Sequence, residues 1–300
     1  MKLNAVILNY NDADTVRKQL AVLAEYKVLE QIVVVDNCST DDSFRWLSDA
    51  YGAVSQSADR AGDRAANKVI IISAEKNGGY GSGNNLGVRY AVEHNQATHV
   101  LILNPDVMVS ELCIHRLLRL FANHPDAGIV TAKMQDQQYG DLRNGWPLRG
   151  FTRELLSMGP VSRRLFRSFL EYPARYFREK QAVYVDAVHG SMLMVDAEKF
   201  LEAGGYDEGI FLYQEEAVLA WRMKTSGYRT ILLLTDHYDH EHSASISKSF
   251  AGQLQRQRLR EESTLYYMKQ YLFINRFQER IANAWFAGIR LEIRAASLIK

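Results

Sequence analysis

The chain has 300 residues, 47% apolar and 24% charged, with a formal net charge of +1, an ordinary globular composition for one large domain or two modest ones. That balance excludes a general pull on nucleic acid, and no apolar run approaches the roughly 18 residues of a membrane span. Two cysteines, Cys38 and Cys113, are too few for a disulfide framework and point to an intracellular setting. The opening MKLNAVILNYNDAD turns polar too soon for a signal peptide.

Residues 3–8 form an apolar run suited to a buried strand. Val16, Leu20 and Leu23 then recur at helical spacing behind the capping candidates Asp12 and Asp14. Residues 32–35 are a β-branched strand, and Ser39 with Asp42 has the spacing of a capping box opening the next helix. Residues 51–68 are small and polar and predict a loop or a frayed helix end. Residues 69–72 read as a third strand, and a glycine-rich stretch leads into a helix near 86–93. Residues 100–103 are a fourth strand, and Ile114, Leu117, Leu118 and Phe121 mark a helix that Pro125 stops. This alternation predicts an α/β fold, with a mostly parallel central sheet and helices on both faces.

The second half is less regular. Residues 135–182 are mixed and include the basic aromatic stretch RRLFRSFLEYPARYFREK. Residues 183–195 have strand character around His189 and Gly190; Asp196 caps a short helix ending at Gly204-Gly205, and another helix runs from about 215 to 227. Residues 231–234 are a final strand, and from Ser249 onward the pattern is helical.

In an open parallel sheet, ligands collect at the carboxyl ends of the strands. Four such ends carry polar residues here: Asn9, Tyr10 and Asn11; Asp36 and Asn37; the NGGYGSGNN of residues 77–85; and Asn104-Pro105-Asp106. Asp36, held on a rigid strand, suits the imide N–H of uracil or thymine, or a ribose hydroxyl. The alternative, a cap for the next helix, fits Ser39 better. The glycines are not spaced as in a Rossmann fingerprint; they allow close backbone approach to a ligand, or simply a turn. Asp106 suffices as the protein anchor for a Mg²⁺ arriving with a diphosphate, although Asn-Pro-Asp is also an ordinary turn. Glu215 and Glu216 stand where a helix starts, as catalysts or only as dipole partners. His237, His240 and His242 beyond the last strand are metal-ligand material or plain loop residues.

Together these segments resemble the inverting glycosyltransferases of family 2, with the GT-A fold, and particularly rhamnosyltransferase-like bacterial members. The resemblance runs through ILNYND, VVVDNCSTDDS (33–43), NGGYGSGNNLG (77–87) and LNPDV (103–107). It resumes with HGSMLMVDAEKFLEAGGYDEGIFLYQEEAVLAWRMKTSGY (189–228) and HEHSAS (240–245), all in family order. It implies a GT-A domain over 1–248, with a nucleotide-binding half (1–133) and an acceptor and catalytic half (134–248), followed by a helical C-terminal extension (249–300).

By this resemblance Asn9, Tyr10 and Asp36 hold the nucleoside, while Asn77, Gly78, Gly79 and Asn84 line the donor. Asn104 and Asp106 stand at the ends of the family's Asp-x-Asp motif, with Asp106 and His240 on a Mg²⁺ or Mn²⁺ ion and His242 the weaker claimant. Glu216 takes the place of the catalytic base, beside Glu215, with one methylene more than the family's usual Asp; Val218 stands where a further acid is usual. The implied reaction is inverting transfer from a dTDP- or UDP-linked sugar, rhamnose first, to a glycan or lipid-linked glycan in bacterial surface polysaccharide synthesis. The implied setting is cytoplasmic. Peripheral contact of residues 163–180 and 276–294 with the inner face of the membrane, and a homodimer, stay open against ordinary packing of those helices. Two other readings compete: a nucleotide-sugar-binding subunit without catalysis, and a sugar-nucleotide pyrophosphorylase. The second should carry a basic loop after the first strand, where this chain has the acidic NYNDAD.

Overall fold

A computed structural model describes residues 1–52, 68–136, 140–141, 144–241 and 252–298. The apolar runs form strands β1 (Leu3–Asn9), β2 (Gln31–Asp36), β3 (Val69–Ser73) and β4 (His99–Leu103). Between them lie helices α1 (Ala13–Leu23), α2 (Ser43–Tyr51) and α3 (Gly79–Asn95). Then come β5 (Val107–Val109), helix α4 (Glu111–Asn123), β6 (Ala127–Asp136), and the short β7 (Gly140–Asp141) and β8 (Gly145–Trp146). Helices α5 (Phe151–Met158), α6 (Pro160–Leu165) and α7 (Arg167–Leu170) precede β9 (Ala182–Val185), β10 (Ala187–Val188) and β11 (Met192–Asp196). The chain continues through α8 (Ala197–Glu202), α9 (Glu215–Thr225), β12 (Arg229–His240), α10 (Gln253–Gln270) and α11 (Arg276–Leu298).

Among the described residues the main sheet runs β3-β2-β1-β4-β11-β6-β12-β5. β1 pairs in parallel with β2 and β4, β2 with β3, and β12 with β6. β11 enters antiparallel between β4 and β6. Because strand side chains alternate, Leu3, Ala5, Ile7, Ile32 and Val34 bury on one face with residues of α1, α2 and α4. Val6, Val33 and Val35 bury on the other, with residues of α3, α8 and α9. Both faces are therefore covered, as the alternation of elements predicts. No helix among the described residues is long and apolar enough to cross a membrane.

Several local expectations are corrected. Helix α3 begins at Gly79, well before residue 86, because its glycines seat it directly on the sheet. A Cβ on Gly83 would stand 2.2 Å from Leu8 Cδ1, and one on Gly87 would stand 2.4 Å from Val6 Cγ1. Ser39 does not cap α2, which starts at Ser43 behind Asp42. It turns back instead to the stronger, charged acceptor: Asp36 Oδ1 accepts the Ser39 N–H at 2.9 Å and Oδ2 accepts its hydroxyl at 2.7 Å. The last strand extends to His240 and places His237, exposed, out of phase with buried His240. The three histidines are therefore not a loop cluster, and His242 lies outside the described residues, as do residues 53–67 of the expected loop. β6 has no counterpart in the sequence reading: its run AGIVTAKM is buried almost throughout, but it opens on Ala-Gly and is interrupted by Thr131 and Lys133, so it is less apolar than the runs that mark β1 to β4.

Helices α10 and α11 follow, as the helical pattern predicts, and pack with α5 around Leu155, Met158, Met268, Phe286, Ile289 and Ile293. Gly87→Val tests the seat of α3 on the sheet. Overpacking against Val6 and Val35 should lower unfolding stability by about 2–3 kcal/mol, read as a shifted denaturant midpoint.

Candidate active site

The strand ends meet at one edge through their own polar side chains. Asn9, fully buried at the end of β1, lies opposite Asp36 in the ladder and donates from Nδ2 to its Oδ2 at 2.8 Å. Asp36 is itself buried and also holds Ser39, so it acts first as an organiser of this corner. Tyr10 stands half-buried just beyond β1, beside Asn11, whose left-handed φ of 54° lets its Oδ1 accept the Thr40 N–H at 2.8 Å. Asn37 Nδ2 donates to Asn77 Oδ1 at 3.0 Å and to the Gly79 carbonyl at 3.2 Å, which ties the end of β2 to the start of α3. Gly78 precedes that helix, and Asn84 Nδ2 donates back to the Tyr80 carbonyl at 3.0 Å.

The side-chain oxygens Asn9 Oδ1, Asn37 Oδ1 and Asn84 Oδ1 are buried and take no hydrogen bond among the described residues. Such a group costs about 1–3 kcal/mol until something donates to it. Three of them at the edge where β1, β2 and α3 meet suit a polar ligand.

The Asn104–Asp106 turn is fixed from three sides. The Asn104 N–H donates to the Ser191 carbonyl at 2.8 Å, Gln19 Nε2 donates to the Asn104 carbonyl at 2.7 Å, and the Glu241 N–H donates to the Asp106 carbonyl at 2.9 Å. β5 leaves this turn antiparallel to β12, with Val107 opposite His240. That register brings His240 Nε2 to 3.3 Å from Asp106 Oδ1, both side chains under 10% exposed. An oxygen and an imidazole nitrogen so close can enter one coordination shell. The described residues contain no group of three or more His, Cys, Asp or Glu side chains placed to hold a metal. The pair therefore fits an ion that takes most of its ligands from phosphate and water, as Mg²⁺ and Mn²⁺ do. His189 stands next in line, its ring 5.7 Å from that of His240.

On the other side of His189 opens a cleft of about 390 Å³, lined by Asn104, Tyr80, Gly190, Glu215 and Glu216 among others. Glu215 and Glu216 begin α9 because Tyr213 and Gln214 turn the chain with φ of 72° and 71°, both left-handed. Glu216 Oε1 accepts the Gly190 N–H at 3.3 Å, while the Tyr80 hydroxyl donates to the Gly190 carbonyl at 2.7 Å. Glu215 is buried; that burial, and then the neighbouring Glu216 carboxylate, pushes its carboxyl up to about 8. The proton is thus held more tightly on Glu215 than on an ordinary carboxyl.

The sequence-derived residues are brought together unevenly. Asn104, Glu215 and Glu216 line the cleft, Asp106 and His240 lie behind His189, and Asp36 and Asn9 connect to it through Asn37, Gly79 and Tyr80. Sequence reasoning missed the cleft's outer wall of Trp146, Arg149, Glu154 and Arg260, which comes from the irregular segment around β8 and α5 and from α10. Glu154 is buried, and burial raises its carboxyl against the opposing pull of Arg149 and of a hydrogen bond from Gln214. It also missed Tyr80 and His189, although both stand inside motifs that the sequence singles out.

Residues 5–201 match the family model described as Glycosyl transferase family 2. Over 222 residues the chain is 26% identical to the low-salt glycan biosynthesis hexosyltransferase Agl10 of Haloferax volcanii, covering 74% of this chain and 61% of that one. It is 24% identical over 219 residues to the rhamnosyltransferase WbbL of Escherichia coli K12, covering 69% and 76%. The chain thus spans about three fifths of the archaeal relative. Among solved structures, it is similar to the mannosyltransferase PcManGT of Pyrobaculum calidifontis in complex with GDP-Man and Mn²⁺, with TM-score 0.57 and 14% identity over 99% of this chain and 75% of that one. It is also similar to GalNAc-T7 with UDP, GalNAc and Mn²⁺, with TM-score 0.59 and 15% identity over 91% and 57%. At such identities the structural likeness speaks for the fold alone.

The buried acid gives a pH signature. Its folded value lies above the unfolded one, so the unfolded chain binds fewer protons between about 4.5 and about 8. Stability attributable to Glu215 is then complete below that window, falls across it by up to ~1.4 kcal/mol per pH unit, and levels off above it. Glu215→Gln, which copies the neutral acid, should match the parent near the bottom of the window and exceed its thermal midpoint above it. Equal slopes in both proteins would mean that Glu215 ionises freely.

Proposed function

The chain belongs to glycosyl transferase family 2 and carries the GT-A fold, and from that premise we propose that it transfers a sugar with inversion, using a divalent metal, from a nucleoside diphosphate to an acceptor hydroxyl. The observation that carries this reading is that Glu216 and Asn104 face one cleft, with the Asp106–His240 pair directly behind His189. In this reading the half 1–133 holds the donor, the half 134–248 presents the base and the acceptor wall, and 249–300 supports them. Asn9, Tyr10, Asp36, Asn77, Gly78, Gly79 and Asn84 form the donor side.

Glu216 keeps Oε1 on the Gly190 N–H, which leaves Oε2 to take the proton from the acceptor hydroxyl. Held by the Gly190 N–H, Glu216 has its orientation set before the acceptor arrives. The attacking oxygen displaces the diphosphate in one step, so the sugar centre inverts and no covalent enzyme intermediate forms. Asp106 and His240 would hold Mg²⁺ or Mn²⁺, which, when bound, neutralises charge on the departing diphosphate.

The donor base proposed from the resemblance is thymine or uracil, in dTDP- or UDP-linked sugars. Rhamnose is proposed from the resemblance and is consistent with the bacterial relative's name. A glycan or lipid-linked glycan is the acceptor class proposed, within surface polysaccharide synthesis at the cytoplasmic side.

Glu216→Gln should bind donor nucleotide as the parent does, by thermal shift, and lose transfer by at least about 100-fold, the lower range for general-base catalysis. Retained turnover in that variant would remove Glu216 from the reaction. In a nucleotide screen with and without Mn²⁺, Asp106→Ala and His240→Ala should abolish the extra thermal stabilisation that Mn²⁺ gives the parent. An unchanged Mn²⁺ increment would place the ion elsewhere.

A further inference from the structure

Helix α11 has two apolar faces where a helix packed on one side needs only one. At ~100° per residue, its buried row is Ala282, Phe286, Ile289 and Ile293. A second row of Phe277, Ile281, Ala284, Trp285, Gly288 and Leu291 is exposed and centred ~130° away around the helix. Phe277 is 70% and Leu291 64% exposed.

Helix α6 lies beside this row. The Val161 N–H donates to Glu292 Oε1 at 3.3 Å, and a Cβ on Gly159 would meet Ile289 at 3.4 Å. There Val161, Leu165 (73% exposed) and Phe166 also face outward. Nine of the fifteen exposed large apolar side chains among the described residues fall on 161–169 and 273–291, so the patch is a concentration and not the usual scatter.

Charge decides what this patch meets. Residues 160–180 hold six basic side chains against two acidic, and residues 273–294 hold four against two. Arg163 and Arg164 stand exposed on α6, and Arg276, Arg280 and Arg294 run along one edge of the apolar row of α11. A two-fold contact between copies would set such rows of like charge against themselves. An anionic bilayer offers apolar depth and opposite charge together, which is what an interfacial helix with aromatic and leucine side chains beside arginines fits.

We propose that α6 and α11 together form a peripheral docking face for an anionic phospholipid bilayer, with Leu165, Phe277, Ile281 and Leu291 entering the headgroup boundary and the arginines meeting lipid phosphate. The face adjoins the cleft through α5: Trp285 Nε1 donates to the Leu155 carbonyl at 2.8 Å, and Glu154, the preceding residue, lines the cleft wall. The proposal is independent of the transfer reading, since it concerns the outer surface alone.

The test is sedimentation of the full chain with vesicles of phosphatidylcholine, with and without phosphatidylglycerol. Binding is expected to the anionic vesicles, weakening as salt rises. Arg276→Gln with Arg280→Gln should weaken it about fivefold for each arginine, from ~1 kcal/mol apiece. Gly288→Glu is the cleanest apolar-face variant, because a Cβ there meets nothing within 4 Å and the helix gains propensity, so lost binding is not lost folding. The nucleotide-induced thermal shift of every variant should equal the parent's, which separates failure at this face from failure of the donor site. No binding to anionic vesicles, or binding indifferent to all three substitutions, overturns the proposal. A dimer dispersed by Gly288→Glu with vesicle binding intact would assign the face to a second copy instead.

Discussion

The arrangement of the cleft depends on one close approach, between the start of helix α3 and the loop that precedes α9. Gly79 has φ of 88°, and a Cβ there would stand 2.2 Å from the Phe211 carbonyl oxygen. A side chain would therefore meet backbone that cannot move aside. With that contact made, the Tyr80 N–H donates to the same carbonyl and its ring reaches Gly190, whose N–H points at Glu216. Tyr80 also packs edge-to-face on Tyr206, ring centroids 5.6 Å apart. The polar edge of the sheet and the acid pair are thus held at a fixed separation by backbone and buried phenols, groups with little freedom to drift.

The same loop shows why the C-terminal helices belong to the site. Two consecutive non-glycine residues in the left-handed region, Tyr213 and Gln214, each cost about 1–3 kcal/mol unless their surroundings hold them. Gln214 is held on both sides: its Nε2 donates to Glu154 Oε1 at 2.6 Å and to Thr264 Oγ1 at 3.0 Å. Ser263 donates to the Leu212 carbonyl at 2.7 Å, and Tyr266 and Tyr271 both donate to Asp207. Helix α10 therefore fastens the segment from which Glu215 and Glu216 project, at the cost of burying Glu154 and Glu215. Both acids are raised by burial first.

A cleft built this way separates two electrostatic tasks. At the sheet edge stands the buried Asp106–His240 pair, and at the helix start Glu215 and Glu216 line the cleft, Glu215 raised by burial. His189 and Gly190 stand between them, on the short connection from β10 to β11. That connection is in place because β11 runs antiparallel beside β4 and the Asn104 N–H closes on the Ser191 carbonyl.

The strands β1 to β4, the helices between them and the polar residues at their ends were legible from the chain alone, because continuous apolar runs for buried strands and 3.6-residue periodicity for helices leave a local imprint on sequence. The ordered motifs likewise led to the family, since they record local chemistry. Only the tertiary structure decided that the glycine-rich stretch is helix from Gly79 on, that Ser39 serves Asp36 and not α2, and that His240 is buried opposite Val107 while His237 is exposed. It alone brought Arg149, Glu154 and Arg260 to the cleft. Each of these depends on partners far along the chain: a Cβ's collision with a distant carbonyl, a register between strands more than one hundred residues apart, a carboxylate buried by a C-terminal helix. Such constraints leave no periodicity in the local sequence, so they are set only when the chain has folded.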